Sequence, residues 1–527
     1  MTFPQKSSAD ESKIIRMLVT LLLIAATIFL SYFGLSHHQP VLGLLIPVVG
    51  IISFFLGRPG ILLIAVFFVD YAQFKIPGLP KALGMVELSQ ALLVGWAVLD
   101  AAIIKQKPRF SHIPRQDFWM AVFGINLVLM MAVRGVGFAR TGGTVYGGAE
   151  YIAMLITLFF YFAAVRVEWS DKNVKTMILF LLGGALIPMA AELIGSFIGG
   201  GTFFEKFLRV SSRMNELVED PGEGIKRWSS FTRVAYMLVP IAFVFCKTIK
   251  WRVFLLGLAL FLVGMTGFRS RMFQVGMLIS MASIYYSKHR VRAFFLWGLA
   301  GLAGLGLLMI ITPLLPFPVQ RTLSIIPFLP VDSAVLIGAE QSANWRFDMW
   351  RDYCLPNVPK YLLIGRGLSP DISQYAWLQA KWYGTGEFYY YMGRYHSGPF
   401  SLLLDYGLLG TVSFTTFFLL AVADAWRTVR RYAAKGTDLV SKYYVYLTVW
   451  LSYEIFSFYF IFGDVRGGLF RLLILAVQLR ILKKNFLNQP GTEMPEVGSQ
   501  TTGVSPTTQQ WTAGNRTSSN CWTVRRG

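Results

Sequence analysis

Residues 396–411 read His396-Ser397-Gly398-Pro399-Phe400-Ser401-Leu402-Leu403-Leu404-Asp405-Tyr406-Gly407-Leu408-Leu409-Gly410-Thr411, and the chain then runs from Val412 to Ala423 without a charge. His396 closes a polar, charge-balanced segment, residues 315–396, and an apolar run, 397–424, begins directly after it. A bilayer-spanning helix needs about 20 such residues. Runs of this kind recur near 17–35, 41–57, 60–74, 84–104, 118–138, 146–166, 175–199, 231–247, 252–268, 271–286, 293–314, 443–463 and 466–482. The expected fold is therefore all-α, a polytopic integral membrane protein of about 12 to 14 transmembrane helices with one large polar loop between them.

Composition agrees with that reading. Hydrophobic residues make up 54% of the chain and charged ones 15%, and the mean hydropathy is +0.52, far from the balance of a soluble domain. The net charge of +21 would suggest nucleic acid in a soluble protein; here it is the expected sum of basic cytoplasmic loops, so no nucleic-acid partner is expected. Cys246, Cys354 and Cys521 form no Cys-x-x-Cys pair, which signals neither zinc nor a disulfide framework. The run 17–35 comes after Lys13 and Arg16 but lacks a small-x-small cleavage site, so it reads as a retained first helix rather than a signal peptide. There is no Walker-type loop and no internal repeat, which disfavours an ATP-driven pump.

Basic residues gather in alternate loops. Lys105, Lys107, Arg109 and Arg115 form one group, Arg166, Lys172 and Lys175 a second, Lys247, Lys250 and Arg252 a third, Lys288, Arg290 and Arg292 a fourth, and Arg427, Arg430, Arg431 and Lys435 a fifth. The positive-inside rule puts these loops in the cytoplasm and residues 200–230 and 315–396 outside. The expected domains are an N-terminal transmembrane bundle (1–314), the large outer loop (315–396), C-terminal transmembrane helices (397–485) and a Thr/Ser/Gln-rich, disordered cytoplasmic tail (486–527). The tail has too little apolar surface to offset the entropy of ordering it.

Chemistry is expected at charged residues on the outer helix ends, where charge is unfavourable and usually has a task. Arg227 precedes the span that starts at Phe231, Arg271 comes after Ser270 at a tight turn, Arg346 lies in the large loop, and His396 ends it. Any one of the arginines taken alone reads more readily as an interfacial anchor, the role assigned to Arg269, and a lone interfacial histidine more readily as structural. Asp70, Glu87 and Glu150 are the acids noted inside spans; a transporter or flippase would place more of them there, paired across helices. Phe388-Tyr389-Tyr390-Tyr391, Trp377 and Trp382 suit sugar stacking and an interface belt equally.

Four elements in order resemble the O-antigen ligase and O-antigen polymerase family: Arg227 ahead of Phe231; Ser270-Arg271; Arg346 with Trp350 ahead of Gly365-Arg366-Gly367; and His396-Ser397 with Gly407 and Gly410 at fixed spacing beyond it. Ser230 and Met272 depart from the family's small residues. The resemblance implies a glycosyltransferase in a bacterial inner membrane, with its active site facing the periplasm. It would move a saccharide from undecaprenyl pyrophosphate to an acceptor sugar on a glycolipid or glycan; the same family's polymerases join lipid-linked repeats instead.

In that reading Arg227, Arg271 and Arg346 bind the pyrophosphate, whose charge grows as the anomeric bond breaks, and the planar guanidinium fork suits phosphate oxygens. His396 is the base, or orients the hydroxyl, with Glu340, Asp348 and Glu387 as alternative bases. Ser270, Ser397, Gly407 and Gly410 support the site. Without a clustered Asp-x-Asp in the outer segments, no metal and no cofactor are expected, and the transfer is expected to invert the anomeric centre.

Overall fold

The structure, a computed structural model, describes residues 59–74, 85–104, 115–136, 148–167, 169, 171–198, 208, 228–287, 290–368, 386–433 and 438–487. The expected spans near 17–35 and 41–57, Arg227, and the tail beyond Leu487 lie outside the described residues. Among the described residues every element is helical, and the one extended pairing is an isolated bridge between Phe74 and Leu208. Apolar runs take this form because a helix satisfies its own backbone N–H and C=O groups.

The helices are α1 Pro59–Ala72, α2 Met85–Ile104, α3 Arg115–Arg134, α4 Gly148–Ala164, α5 Asp171–Ile198, α6 Phe231–Pro240, α7 Ile249–Gly264, α8 Arg269–Tyr286 and α9 Arg290–Ile311. The large polar segment then contributes α10 Phe317–Leu323, α11 Ser333–Met349, α12 Leu355–Tyr361 and α13 Gly386–Tyr391. Last come α14 Gly407–Thr428, entered through a π-helical stretch Ser401–Tyr406, then α15 Leu439–Phe460 and α16 Val465–Leu487.

Four stretches, Arg115–Arg134, Lys172–Gly195, Val291–Leu314 and Gly398–Arg431, are long and apolar enough to cross a membrane, and Pro59–Ala72, Met85–Val98, Gly148–Ala164 and Phe231–Phe245 are shorter apolar helices. The other expected spans in the described region are helices as well. α15 and α16 are diluted by Tyr443, Tyr444, Tyr446, Tyr453, Arg466, Arg471 and Arg480, and these tyrosines face the core rather than the surroundings.

Side-chain pairing sorts the helix ends into two sets. At one end Arg480 of α16 binds Asp117 of α3, with Tyr161 of α4 donating to the same carboxylate at 2.8 Å; Lys483 of α16 meets Asp424 of α14 at 2.8 Å, and Lys484 donates to the Val165 carbonyl. At the other end Arg134 of α3 donates to Gly365 O at 3.0 Å and Arg466 of α16 bonds Glu150 of α4 at 2.8 Å. α3 and α4 thus run in opposite directions, as the alternation of basic loops requires. Arg115, Arg166 and Arg427 belong to the first end, and Gly365 with its neighbours in the polar segment belongs to the second.

The polar segment is folded. Asp332 caps α11, its carboxylate accepting from Ala334 N at 2.8 Å, an arrangement that satisfies an otherwise orphaned helix donor. Met349, Cys354, Tyr390, Tyr395 and Leu404 bury a small core of their own. Val319, Leu323 and Leu329 pack with Met265, Met272 and Leu308, which docks α10 onto α7, α8 and α9.

Candidate active site

His396 lies in the link between α13 and the turn Gly398–Phe400, with φ of +54°. A non-glycine residue in the left-handed region is strained by about 1 kcal/mol, so the surroundings must hold it. Trp350 Nε1 donates to the Tyr395 carbonyl at 2.7 Å on one side, and Ser401 N donates to the Ser397 carbonyl at 3.0 Å on the other. The imidazole packs edge-on against Trp345 of α11 (5.4 Å between centroids) and Tyr389 of α13 (5.8 Å), and against Phe462 (5.2 Å) in the turn before α16. Trp345 and Tyr389 stack at 4.7 Å. Three separate elements therefore fix the ring. The Arg346 guanidinium lies 5.4 Å from the Trp345 ring, so Arg346 and His396 share one indole.

Arg271, in the first turn of α8, reaches back to α6. Its Nη1 donates to Ser229 O at 3.0 Å and Thr232 Oγ1 at 2.8 Å, and the guanidinium covers the Phe268 ring at 4.4 Å. The buried Glu192 of α5 accepts from Ser229 N (3.0 Å), Ser230 N (2.9 Å) and the Ser230 hydroxyl. The turn 228–230 is thus clamped between a carboxylate and a guanidinium. One helical turn along α8, Gln274 Nε2 donates to Ser457 Oγ at 2.7 Å; the Ser457 carbonyl accepts from Phe462 N at 2.9 Å. Arg271 thus lies one helical turn from the residue that ties α8 to the end of α15, at the same end of the bundle as His396. Ser270 is half-buried beside Arg271.

Behind His396 lies a buried ion cluster. Asp405 is fully buried and accepts from Arg466 Nη2 at 3.0 Å, Arg466 Nε at 3.2 Å, Tyr395 Oη at 2.7 Å and, at 3.5 Å, Arg366 Nη2. Arg466 also bonds Glu150. Arg366 lies over the rings of Tyr390 and Tyr395 and donates to the Tyr390 carbonyl at 3.0 Å. Charges removed from water persist only when paired and hydrogen-bonded in this way. Asp464 precedes the cluster and accepts from Arg466 N at 3.1 Å; burial pushes its carboxyl up to about 6, with the Asp405 charge acting in the same direction against Arg466.

Gly407 and Gly410 serve packing. Gly407 has φ of +67°, and a Cβ there would meet the Leu363 carbonyl and Gly365 N at 2.6 Å; one on Gly410 would meet Tyr406 Cβ at 2.5 Å and Asn126 Nδ2 at 2.8 Å. The turn Gly365-Arg366-Gly367 docks in the space so created: Gly367 N donates to Asp405 O at 3.0 Å, Arg366 N to Leu404 O at 2.6 Å and Leu408 N to Leu362 O at 2.5 Å. The His-Ser-to-Gly-x-x-Gly spacing thereby sets His396 at one end of a bent helix start and Asp405 in its middle.

No family model, curated protein or solved structure matches this chain. The site therefore rests on its own geometry. Of the residues singled out in the sequence, Arg346 and His396 come together on Trp345, Arg271 is held apart from them by Ser229, Thr232 and Phe268 at the same end of the bundle, and Arg227 lies outside the described residues. Of the alternative bases, Asp348 is exposed and bound to Arg351 at 3.1 Å. Sequence reasoning missed Glu192, Arg366, Asp405 and Arg466 as members of the site. The available signal is an acid within an apolar run, which points to Glu192 and Asp405 as much as to Asp70, Glu87 and Glu150. Arg269 is also no simple anchor, since its Nε and one terminal nitrogen are buried. Among the described residues no three His, Cys, Asp or Glu side chains converge as a metal site would require.

Proposed function

We propose that the chain is an integral membrane glycosyltransferase that moves a saccharide from undecaprenyl pyrophosphate to an acceptor sugar at the periplasmic face of a bacterial inner membrane. The acceptor hydroxyl attacks the anomeric carbon as its proton passes to His396; the new C–O bond forms, the bond to the pyrophosphate oxygen breaks, and the lipid pyrophosphate leaves with the electron pair. Arg346, Arg271 and Arg227 offset the charge growing on that leaving group. The observation that carries this reading is the fixed imidazole: a histidine held in a strained left-handed conformation by three aromatic rings, with an arginine on the same tryptophan. Strain of this kind collects at functional sites.

A conducting path wants ionisable groups through the middle of several spans. Here Glu150, Asp405 and Arg466 pair at one end of the bundle and Asp117 with Arg480 and Asp424 with Lys483 at the other, while Asp70 of α1 meets Arg233 of α6 at 3.8 Å and Glu192 and Glu454 are buried within helices, features that a transporter would share.

The test is transfer by the purified protein in nanodiscs, supplied with a lipid-pyrophosphate glycan and an acceptor glycolipid. His396→Ala, Arg346→Ala and Arg271→Ala are each expected to lower the rate by roughly 100-fold or more, with Arg271→Lys recovering little because a point charge lacks the fork. Full activity of His396→Ala would refute the assignment. Loss of the gene should leave long preassembled chains on the lipid carrier; single repeats there would identify a polymerase.

A further inference from the structure

The peptide group joining Ser229 to Ser230 has a charged side chain at each end. Its N–H, that of Ser230, donates to Glu192 Oε2 at 2.9 Å, and its carbonyl, that of Ser229, accepts from Arg271 Nη1 at 3.0 Å. The preceding amide, Ser229 N, donates to Glu192 Oε1 at 3.0 Å, and the Ser230 hydroxyl donates to Oε2 as well. Glu192 is 3% exposed and belongs to α5, Arg271 belongs to α8, and the peptide between them opens α6. Three helices therefore meet through one planar group.

Local preference does not account for this arrangement. A serine at a helix start ordinarily turns its hydroxyl oxygen inward to accept from the first unbonded N–H groups. Ser230 makes no such bond, and its backbone is already helical at φ −69° and ψ −24°. The hydroxyl goes to Glu192 instead. A buried carboxylate persists where its oxygens are hydrogen-bonded, and all three donors to this one come from a single turn. Turn and carboxylate hold each other in place.

The orientation of Arg271 follows from that turn. Its Nη1 is shared between Ser229 O and, at 2.8 Å, Thr232 Oγ1, while the guanidinium carbon lies 4.4 Å from the centre of the Phe268 ring. Two acceptors and one ring face set the guanidinium plane. A flip of the Ser229–Ser230 peptide would carry its carbonyl away from Nη1, and the bond from Ser230 N to Glu192 opposes that flip. The two bonds also polarise one another, because negative charge at the N–H end makes the carbonyl a stronger acceptor.

We propose that Glu192 is a positioning residue for the leaving pyrophosphate: through the Ser229–Ser230 peptide it holds the Arg271 guanidinium in the orientation that meets the growing charge. The proposal rests on the glycosyl-transfer reading of Arg271. Glu192 itself touches no substrate, and its effect on the reaction passes through Arg271.

The test is a double-substitution cycle on the full chain in nanodiscs, read as kcat/KM for transfer from a lipid-pyrophosphate glycan to an acceptor glycolipid. Glu192→Gln keeps the side-chain length but replaces one acceptor oxygen with an N–H donor, and should lower kcat/KM about tenfold. In an Arg271→Ala background the same substitution should change it by less than about twofold, since the group it acts through is gone. Melting temperatures report the folding of each variant, and Glu192→Asp, which keeps the charge and shortens the reach, enters the cycle in place of a Glu192→Gln that does not fold. A further loss of about tenfold in the Arg271→Ala background, or wild-type transfer by Glu192→Gln, would overturn the positioning role and leave the transferase reading standing. Wild-type transfer by Arg271→Ala, or no transfer by the wild type, would overturn both.

Discussion

Asp405 contributes more to the architecture of the site than any residue legible in the sequence. It holds Arg366, Arg466 and Tyr395 at once while fully buried, so removing its charge takes the carboxylate from Arg366 and leaves Arg466 with Glu150 alone. Asp405→Asn should destabilise the protein by about 3–5 kcal/mol, seen as a lower melting temperature in detergent and loss of the folded yield. Asp464 makes the opposite prediction. Its folded-state carboxyl titrates near 6 against an ordinary 3.8, so the folded state holds the proton more tightly than the unfolded one. The stabilising contribution is full below about pH 4 and is lost as the pH rises through 6. Asp464→Asn should therefore stabilise the protein at pH 7 by an amount on the order of 2 kcal/mol, read as a higher melting temperature, and the difference from wild type should vanish near pH 4. His396 was legible because a histidine at the edge of an apolar run, with Gly-x-x-Gly beyond it, is a local pattern. Asp405 was not, because its partners Arg366 and Arg466 stand 39 and 61 residues away, a distance no local pattern reports.

α14 shows how an element carries the site. Its start is bent by the π-helical stretch Ser401–Tyr406 and seated by Gly407 and Gly410, while Phe123 of α3 packs on Tyr406 and Phe414 at 5.2 and 5.8 Å. Adding a methyl group at Gly407 imposes both a left-handed conformation on a residue with a Cβ and a collision with backbone. Gly407→Ala should reduce stability by roughly 1–3 kcal/mol and lower transfer because Asp405 and His396 shift with it; circular dichroism melts and the transfer assay read the two effects. The apolar run was plain in the sequence. The π-helical bend was not, since it comes from the docking of residues 362–367 rather than from propensity. The helices α10 to α13 were likewise hidden in a segment that reads as a polar loop, because the short apolar faces of α11 to α13 close a small local core around Met349 and Tyr395 and that of α10 docks onto α7, α8 and α9, instead of repeating along one long period.

For the whole molecule, alternating helix direction leaves two chemically distinct ends. Among the described residues, the ion pairs Asp117–Arg480 and Glu150–Arg466 divide the ends of α3, α4 and α16 into two sets, the kind of division that alternate basic loops predict. In a background without native cysteines, Ser333→Cys in intact spheroplasts should react with an impermeant thiol reagent while Thr248→Cys should not; equal labelling would reverse or dissolve the assigned sides. Where residues 362–367 dock onto 404–408, three backbone bonds, the Arg366–Asp405 pair and the nested glycines 365 and 407 tie the chain to itself across the intervening stretch. A backbone severed between Leu368 and Gly386 should therefore leave its halves associated, the cut ends held by the hydrogen bonds and the ion pair of that seam.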